Sequence, residues 1–134
     1  MRGRKPILNP DNNPITNAPK SPSWLSKTAR DEWRRIAPLL MDRGILAATD
    51  LTTLAHYCAA TGTVQEQQKT INREGYVVMT ERGPRAHPAV RIQSDAMTRA
   101  RLLAAELGLT PVSRNRPTMR TDQNDDDSAS DLGV

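Results

Sequence analysis

Residues 49–75 read TDLTTLAHYCAATGTVQEQQKTINREG, and the way this stretch folds decides the architecture of the chain. Thr49 is a good N-cap, and Asp50 puts a carboxylate in the first turn, where the helix dipole favours it. Leu51, Leu54, Ala55, Cys58, Thr61, Val64, Gln68 and Ile71 recur at spacings of three and four, so they form one stripe of a helix. Gly75 stands behind Arg73, where a left-handed C-cap belongs. The pattern predicts a helix of about 25 residues, roughly 37 Å long at ~1.5 Å per residue. Gly62 is its weak point: glycine in a helix interior costs about 1 kcal/mol relative to alanine, which leaves a kink or break open there. The first half is apolar enough for a core. The second half, with Gln65, Gln67, Gln68, Lys69 and Asn72, is too polar to be buried alone. Two readings follow, a solvated helix end or a second partner such as another copy of the chain; the second makes Val64, Gln68 and Ile71 an oligomerisation stripe.

After Gly75 the period changes. Tyr76-Val77-Val78-Met79-Thr80 is rich in β-branched and aromatic residues, Glu81-Arg82-Gly83-Pro84 is a turn, and Arg85-Ala86-His87 is a short return. This predicts a β-hairpin, too small to stand without support from helices or a neighbouring subunit. Pro88 fits the first position of a third helix. Ala89, Ile92, Ala96, Ala100, Leu103 and Leu107 make its expected core face, with Arg91, Asp95 and Arg99 outside. Leu102 falls on the polar face, and a stray exposed leucine and a subunit contact are both open. Gly108 at C′, Leu109 at C″ and Pro111 end the helix.

Before the long helix, Ser26 can cap a helix running to about Asp42, with Gly44 as its stop. Ala29, Trp33, Ile36, Ala37 and Leu40 share one face; Lys27, Arg30 and Arg34 share the opposite one, with Asp31 among them. That basic row reads as a solvated face or as a phosphate-contacting one. Pro38 removes a backbone donor and should bend the helix near Arg34. The short turn from Gly44 to Ala48 makes the two helices an antiparallel hairpin. The fold class expected is mainly α: an antiparallel helical hairpin plus a third helix, a small β-hairpin between the second and third helices, and disordered termini.

The chain has 134 residues, no Phe and a net charge of +4. Three segments are expected: a flexible basic arm over 1–21, a helical oligomerisation and DNA-binding core over 22–111, and a disordered tail over 112–134. The charge is divided: Met1 to Thr121 holds 19 basic and 10 acidic residues, and Asp122 to Val134 holds five Asp and no base. A basic body with an acidic tail suits a polyanionic partner. The arm opens Arg2-Gly3-Arg4-Lys5-Pro6. Its Arg-Gly-Arg core resembles an AT-hook, in which glycine lets the backbone approach the minor groove and arginine finds negative potential. Specific groove reading, non-specific phosphate contact and a plain solvated tail are all open for Arg2, Arg4 and Lys5. Arg114, Arg116 and Arg120 lie in sequence without periodicity, suited to folding on a partner protein.

No catalytic constellation is apparent, and no cofactor is expected. His56 and His87 have no Cys, His or carboxylate at metal-ligand spacing. No Gly-rich loop precedes Lys-Ser or Lys-Thr. Cys58 reads as a small buried hydrophobe. No apolar run approaches the ~20 residues of a membrane span, and no signal-peptide pattern opens the chain, so a cytoplasmic protein with no membrane partner is expected.

Pro22-x-x-Leu25, Trp33, Pro38-Leu39-Leu40, Gly44-x-Leu46, Asp50-x-x-x-Leu54, Tyr57-Cys58, Ile71, Gly75, Pro88 and Glu106-Leu107-Gly108-Leu109-Thr110-Pro111-x-Ser113-Arg114, in that order and spacing, resemble the small subunit of a tailed-bacteriophage terminase. The start Met1 to Pro6 is also similar, and the likeness spans Pro22 to Arg116. The resemblance implies a non-enzymatic packaging factor that forms a homo-oligomeric ring. It implies recognition of the packaging start on double-stranded viral DNA, and recruitment and regulation of the large terminase subunit, the ATPase and nuclease. It places the protein in the cytoplasm of the infected host and not in the mature virion. Two departures stand out: the polar second half of the long helix, and His87 before Pro88 where Asn is common. The rival readings are a helical transcriptional regulator and a virion scaffold or adaptor that does not bind DNA. Against the first, no short second helix with polar base-reading residues follows a tight turn.

Overall fold

The computed structural model describes residues 17–44 and 46–111. Three helices and one β-hairpin follow in chain order: α1 (Lys27–Asp42), α2 (Leu51–Glu74), β1 (Val77–Thr80), β2 (Gly83–Ala86) and α3 (Pro88–Glu106). The fold class agrees with the sequence expectation. α2 is central and packs on both other helices, more extensively on α3.

α1 begins where its cap requires: the Ser26 hydroxyl accepts the Ala29 N–H at 3.2 Å. The helix continues through Pro38 and stops ahead of Gly44, whose φ is +69°. Ala29, Trp33, Ile36, Ala37 and Leu40 are all buried, and they meet Leu46, Leu54, Ala55, Cys58 and Leu107 in one core. The Trp33 indole N–H donates to the Pro19 carbonyl at 2.9 Å, so contacts to the body begin ahead of Pro22.

α2 departs from expectation at its start. Thr49 is not the N-cap. Ala48–Asp50 form a 3-10 turn that runs straight into α2, and Asp50 holds the cap position. The Asp50 carboxylate turns back instead and accepts the Ala47 N–H at 2.9 Å, closing the turn. At the other end Gly75 takes φ +89° and ψ 165°, a positive φ outside the left-handed helical well, and its N–H reaches the Ile71 carbonyl at 2.7 Å.

Gly62 does not break α2. It is where α1 crosses: a Cβ at Gly62 would lie 2.9 Å from the Ala29 backbone nitrogen and 3.0 Å from the Ala29 Cβ. The missing side chain lets the two backbones approach. The polar second half of α2 has its partner inside the chain, on α3. There the buried Gln93 amide donates to the Val64 carbonyl at 3.1 Å and to the Gln68 side-chain carbonyl at 2.8 Å. Gln68 in turn donates to Asn72 at 2.9 Å.

This seam corrects the expected face of α3. Ile92, read as core, is 47% exposed, and Gln93 is buried in its place. The chain end of α3 follows expectation bond by bond. Leu109 N–H donates to the Ala104 carbonyl at 2.8 Å and Gly108 N–H to the Ala105 carbonyl at 3.1 Å, a Schellman pair with Gly108 at φ +73°. Arg43 reaches the Gly108 carbonyl at 3.1 Å and ties the end of α1 to this turn.

Candidate functional site

The basic row is carried by the outer face of α1. Lys27 and Arg34 have side-chain exposures of 85% and 75%, and Arg30 is half-buried. Asp31 sits between them, 3.5 Å from Lys27 and 3.5 Å from Arg34. Such long, exposed pairs contribute little stability, and one carboxylate leaves the row of three cations with a net positive charge. Lys27 to Arg34 covers about 10 Å of helix axis at ~1.5 Å per residue, close to three steps of one DNA strand at ~3.4 Å each. Arg2, Arg4 and Lys5, together with Arg114, Arg116 and Arg120, lie outside the described residues.

Arg35, next to the row, is not available to a ligand in the same way. It grips the buried Glu32 through Nε at 2.9 Å and a terminal nitrogen at 2.6 Å. The Tyr57 hydroxyl donates to the same carboxylate at 2.8 Å. The bond to Glu32 raises the Arg35 pKa against a smaller opposing effect of burial. Burial first, then the Glu32 bond, raises that of Tyr57, so its hydroxyl stays a donor. Sequence reading misses this cluster, because Glu32 looks like one more solvated charge. The signal was the Glu32–Arg35 spacing of three facing a tyrosine on the neighbouring helix.

Cys58 is fully buried, and loss of solvation, with Glu32 nearby, pushes its thiol up to about 12. It behaves as the packed hydrophobe its position on the stripe suggests. His56 is exposed, with its ring centroid 6.5 Å from that of Trp24.

His87 caps α3. Its Nδ1 accepts the Ala89 N–H at 3.0 Å, the role an asparagine would fill. Nδ1 must therefore be unprotonated, and Nε2–H donates to Glu74 at 2.8 Å. The same residue's backbone N–H holds the Tyr76 carbonyl at 2.6 Å, so one histidine fixes the base of the hairpin to both helices. The His87 bond, followed by Arg73, lowers the Glu74 pKa. A depressed carboxylate contributes stability above its unfolded pKa and loses it as pH falls through the folded value. The protection of the Ala89 amide, its exchange measured against the intrinsic rate at each pH, is therefore expected to fall as Glu74 is protonated, and to fall less in Glu74→Gln.

The hairpin is shorter in its turn than expected. Thr80 pairs with Gly83, leaving Glu81 and Arg82 as a two-residue loop. The Thr80 hydroxyl accepts the Arg82 N–H at 3.2 Å and donates to the Gly83 carbonyl at 2.7 Å. Gly83 has φ +106°, a backbone conformation that side chains rarely adopt and that accounts for the glycine. Arg82 and Arg85 are exposed.

Of the residues expected to join copies, Ile71 is only 2% exposed and Val64 and Gln68 are half-buried along the α2–α3 seam. Leu102 is 57% exposed. It stands on the wall of a groove of about 750 Å³ between α2 and α3, with Trp24, Ile92 and Leu103. Among the described residues no three of His, Cys, Asp and Glu converge as a metal group, and no helix is long and apolar enough to cross a membrane.

A helical body with a cationic helix face and an apolar groove that is open among the described residues has the makings of a binding and assembly protein. The sequence profile described as phage terminase, small subunit, matches residues 29–124. The chain belongs to that family, and its role is in phage DNA packaging. No curated protein and no solved structure gives a match.

Proposed function

We propose that this chain is the packaging subunit that binds double-stranded viral DNA at the packaging start and delivers it to the large terminase subunit. It assembles as a homo-oligomeric ring and has no catalytic centre of its own. The large subunit supplies ATPase and nuclease activity, and the small subunit recruits and regulates it. The work is done in the cytoplasm of the infected bacterium, and the mature virion lacks the protein. Residues 1–21 serve as a DNA-seeking arm, 22–111 as the assembling and DNA-binding core, and 112–134 as the partner-binding tail through Arg114, Arg116 and Arg120. The observation that carries the reading is the row Lys27, Arg30 and Arg34 on the outer face of α1, with Lys27 and Arg34 exposed, on a chain of this family.

In a ring every subunit repeats this row and the Arg2, Arg4, Lys5 arm, so individually weak phosphate contacts add through high effective concentration. Each phosphate contact steepens the fall of affinity with salt by about 0.9 in the double-logarithmic slope. Lys27→Ala/Arg30→Ala/Arg34→Ala and Arg2→Ala/Arg4→Ala are each expected to weaken DNA binding and flatten that slope, with the oligomer intact. Removing residues 122–134, whose five Asp compete for the same cations, should strengthen non-specific binding. Salt titration of DNA affinity for the four proteins checks this. Unchanged affinity and slope in both basic-residue variants would overturn the DNA-binding reading. Deleting residues 113–134 is expected to leave the ring and lower stimulation of the large subunit's ATPase; full stimulation would move that contact to the folded body.

A further inference from the structure

The hairpin wears its apolar face outward. Val77 is paired with Ala86 and Met79 with Pro84, and residues directly opposite on paired strands share a face. All four are exposed, Val77 at 58% and Met79 at 77%. The other face, where Val78 opposes Arg85, carries the half-buried residue. A two-stranded sheet is marginal in water without cover on an apolar face. No described residue covers it: Val77 and Met79 remain open among the described residues.

The α2–α3 groove is the complementary feature. Its floor is made of small buried side chains, Ala60 and Ala96, and its walls of large exposed ones, Trp24, Ile92 and Leu102. Small residues below and tall ones at the sides make a slot of the kind that accepts protruding apolar side chains. The charges match as well. The hairpin loop carries Glu81 and Arg82, and the groove rim carries Arg99 as well as Asp95 and Glu106, with His56 on the α2 side, so each loop charge has a counter-charge on the rim. Among the described residues no ion pair within the chain engages Arg82, Arg85, Asp95 or Glu106.

We propose that the outward face of the β1–β2 hairpin of one copy seats in the α2–α3 groove of the next copy. The contact is head to tail: patch and slot are different surfaces of one chain, so each copy offers both. Repetition with a closing rotation gives a ring, and without closure a filament. Leu102 belongs to this interface. Val64, Gln68 and Ile71 act indirectly, by fixing the α2–α3 seam that shapes the slot. The inference rests on the assembly reading above and names the surfaces that perform it.

Met79→Asp disables the patch and Leu102→Asp the slot; both positions are exposed, so helical circular dichroism should be retained. Native mass spectrometry at micromolar concentration is expected to show each variant as a monomer. Mixed in equal amounts, they retain one intact patch and one intact slot between them, and the expected species is a 1:1 heterodimer with nothing larger. Either variant keeping the wild-type oligomer would overturn the proposal and leave the assembly reading standing. A mixture that stays monomeric would overturn it too, since the surfaces would then not face each other. If Leu102→Asp keeps the oligomer but no longer stimulates the large subunit, the groove belongs to that partner and the proposal falls. A wild-type protein that is itself monomeric removes both readings together.

Discussion

Gly62→Ala is expected to lower the melting temperature, although alanine is the better helix former. The propensity gain is about 1 kcal/mol. Against it, the new methyl would stand 2.9 Å from a backbone nitrogen of α1, an atom that cannot swing aside. Forcing a methyl into packed helix backbones costs ~2–3 kcal/mol, so the net loss is about 1–2 kcal/mol, a fall of roughly 5–15 °C for a body of this size. Gly62→Val, with two further methyl carbons and a stiff χ1, should lose about 3 kcal/mol or more. Thr52→Ala on the exposed side of the same helix is the control and should gain a few tenths of a kcal/mol. Thermal unfolding of the three variants reads the sign directly: if Gly62→Ala stabilises like Thr52→Ala, the close crossing of α1 and α2 at Ala29 is wrong.

The second large effect is expected at Glu32. The carboxylate is 6% exposed and takes three hydrogen bonds, two from Arg35 and one from Tyr57. Glu32→Ala takes away the acceptor of the half-buried Tyr57 hydroxyl, leaving it Thr61, and removes the one side-chain bond between α1 and α2 among the described hydrogen bonds. Breaking a fully buried pair costs ~3–5 kcal/mol. Arg35 is 60% exposed and can return to water, which reduces the expected loss to about 2–3 kcal/mol. Tyr57→Phe should lose about 1 kcal/mol, the net worth of one hydrogen bond. Urea unfolding of both single variants and the double variant measures the coupling, and additive losses would mean that the two groups do not share the bond.

These two positions also mark where sequence reading stops. At the end of α3 local rules suffice: Gly108, Leu109 and Pro111 each have one conformational role, and the hydrogen bonds follow. The buried face of α1 is legible for the same reason, since Ala29, Trp33, Ile36, Ala37 and Leu40 are apolar and regularly spaced. Where burial falls on a polar residue the signal fails. Gln93 continues the alternating four-three spacing from Ala89 to Ala96, Ala100, Leu103 and Leu107 better than Ile92 does, yet hydropathy favours Ile92. The choice is made by the Val64 carbonyl and the Gln68 amide on another helix, which no local window contains. Gly62 is ambiguous in the same way. Its cost to the helix is local, and its benefit depends on Ala29, thirty-three residues earlier in the sequence. Thr49 loses its cap role because Asp50 bonds backward to Ala47 and makes a 3-10 turn, a competition within three residues that propensity alone does not rank.

The basic row was legible as charge, and the structure adds that Arg35 is withdrawn from it by Glu32 while Lys27 and Arg34 remain open. The groove and the outward hairpin were not legible, because each depends on how α2 and α3 are turned toward one another. Leu102 was the one residue of that surface visible in the sequence, as an apolar side chain out of phase with its helix.

The central claim is that copies of this chain form a closed assembly that holds DNA. Native mass spectrometry of the full chain, alone and with a duplex of viral DNA, tests both halves in one measurement. The account predicts a single closed species well above a dimer, and with duplex a species heavier by the mass of the DNA, lost as ionic strength rises. A monomer at micromolar concentration, with or without DNA, would contradict it.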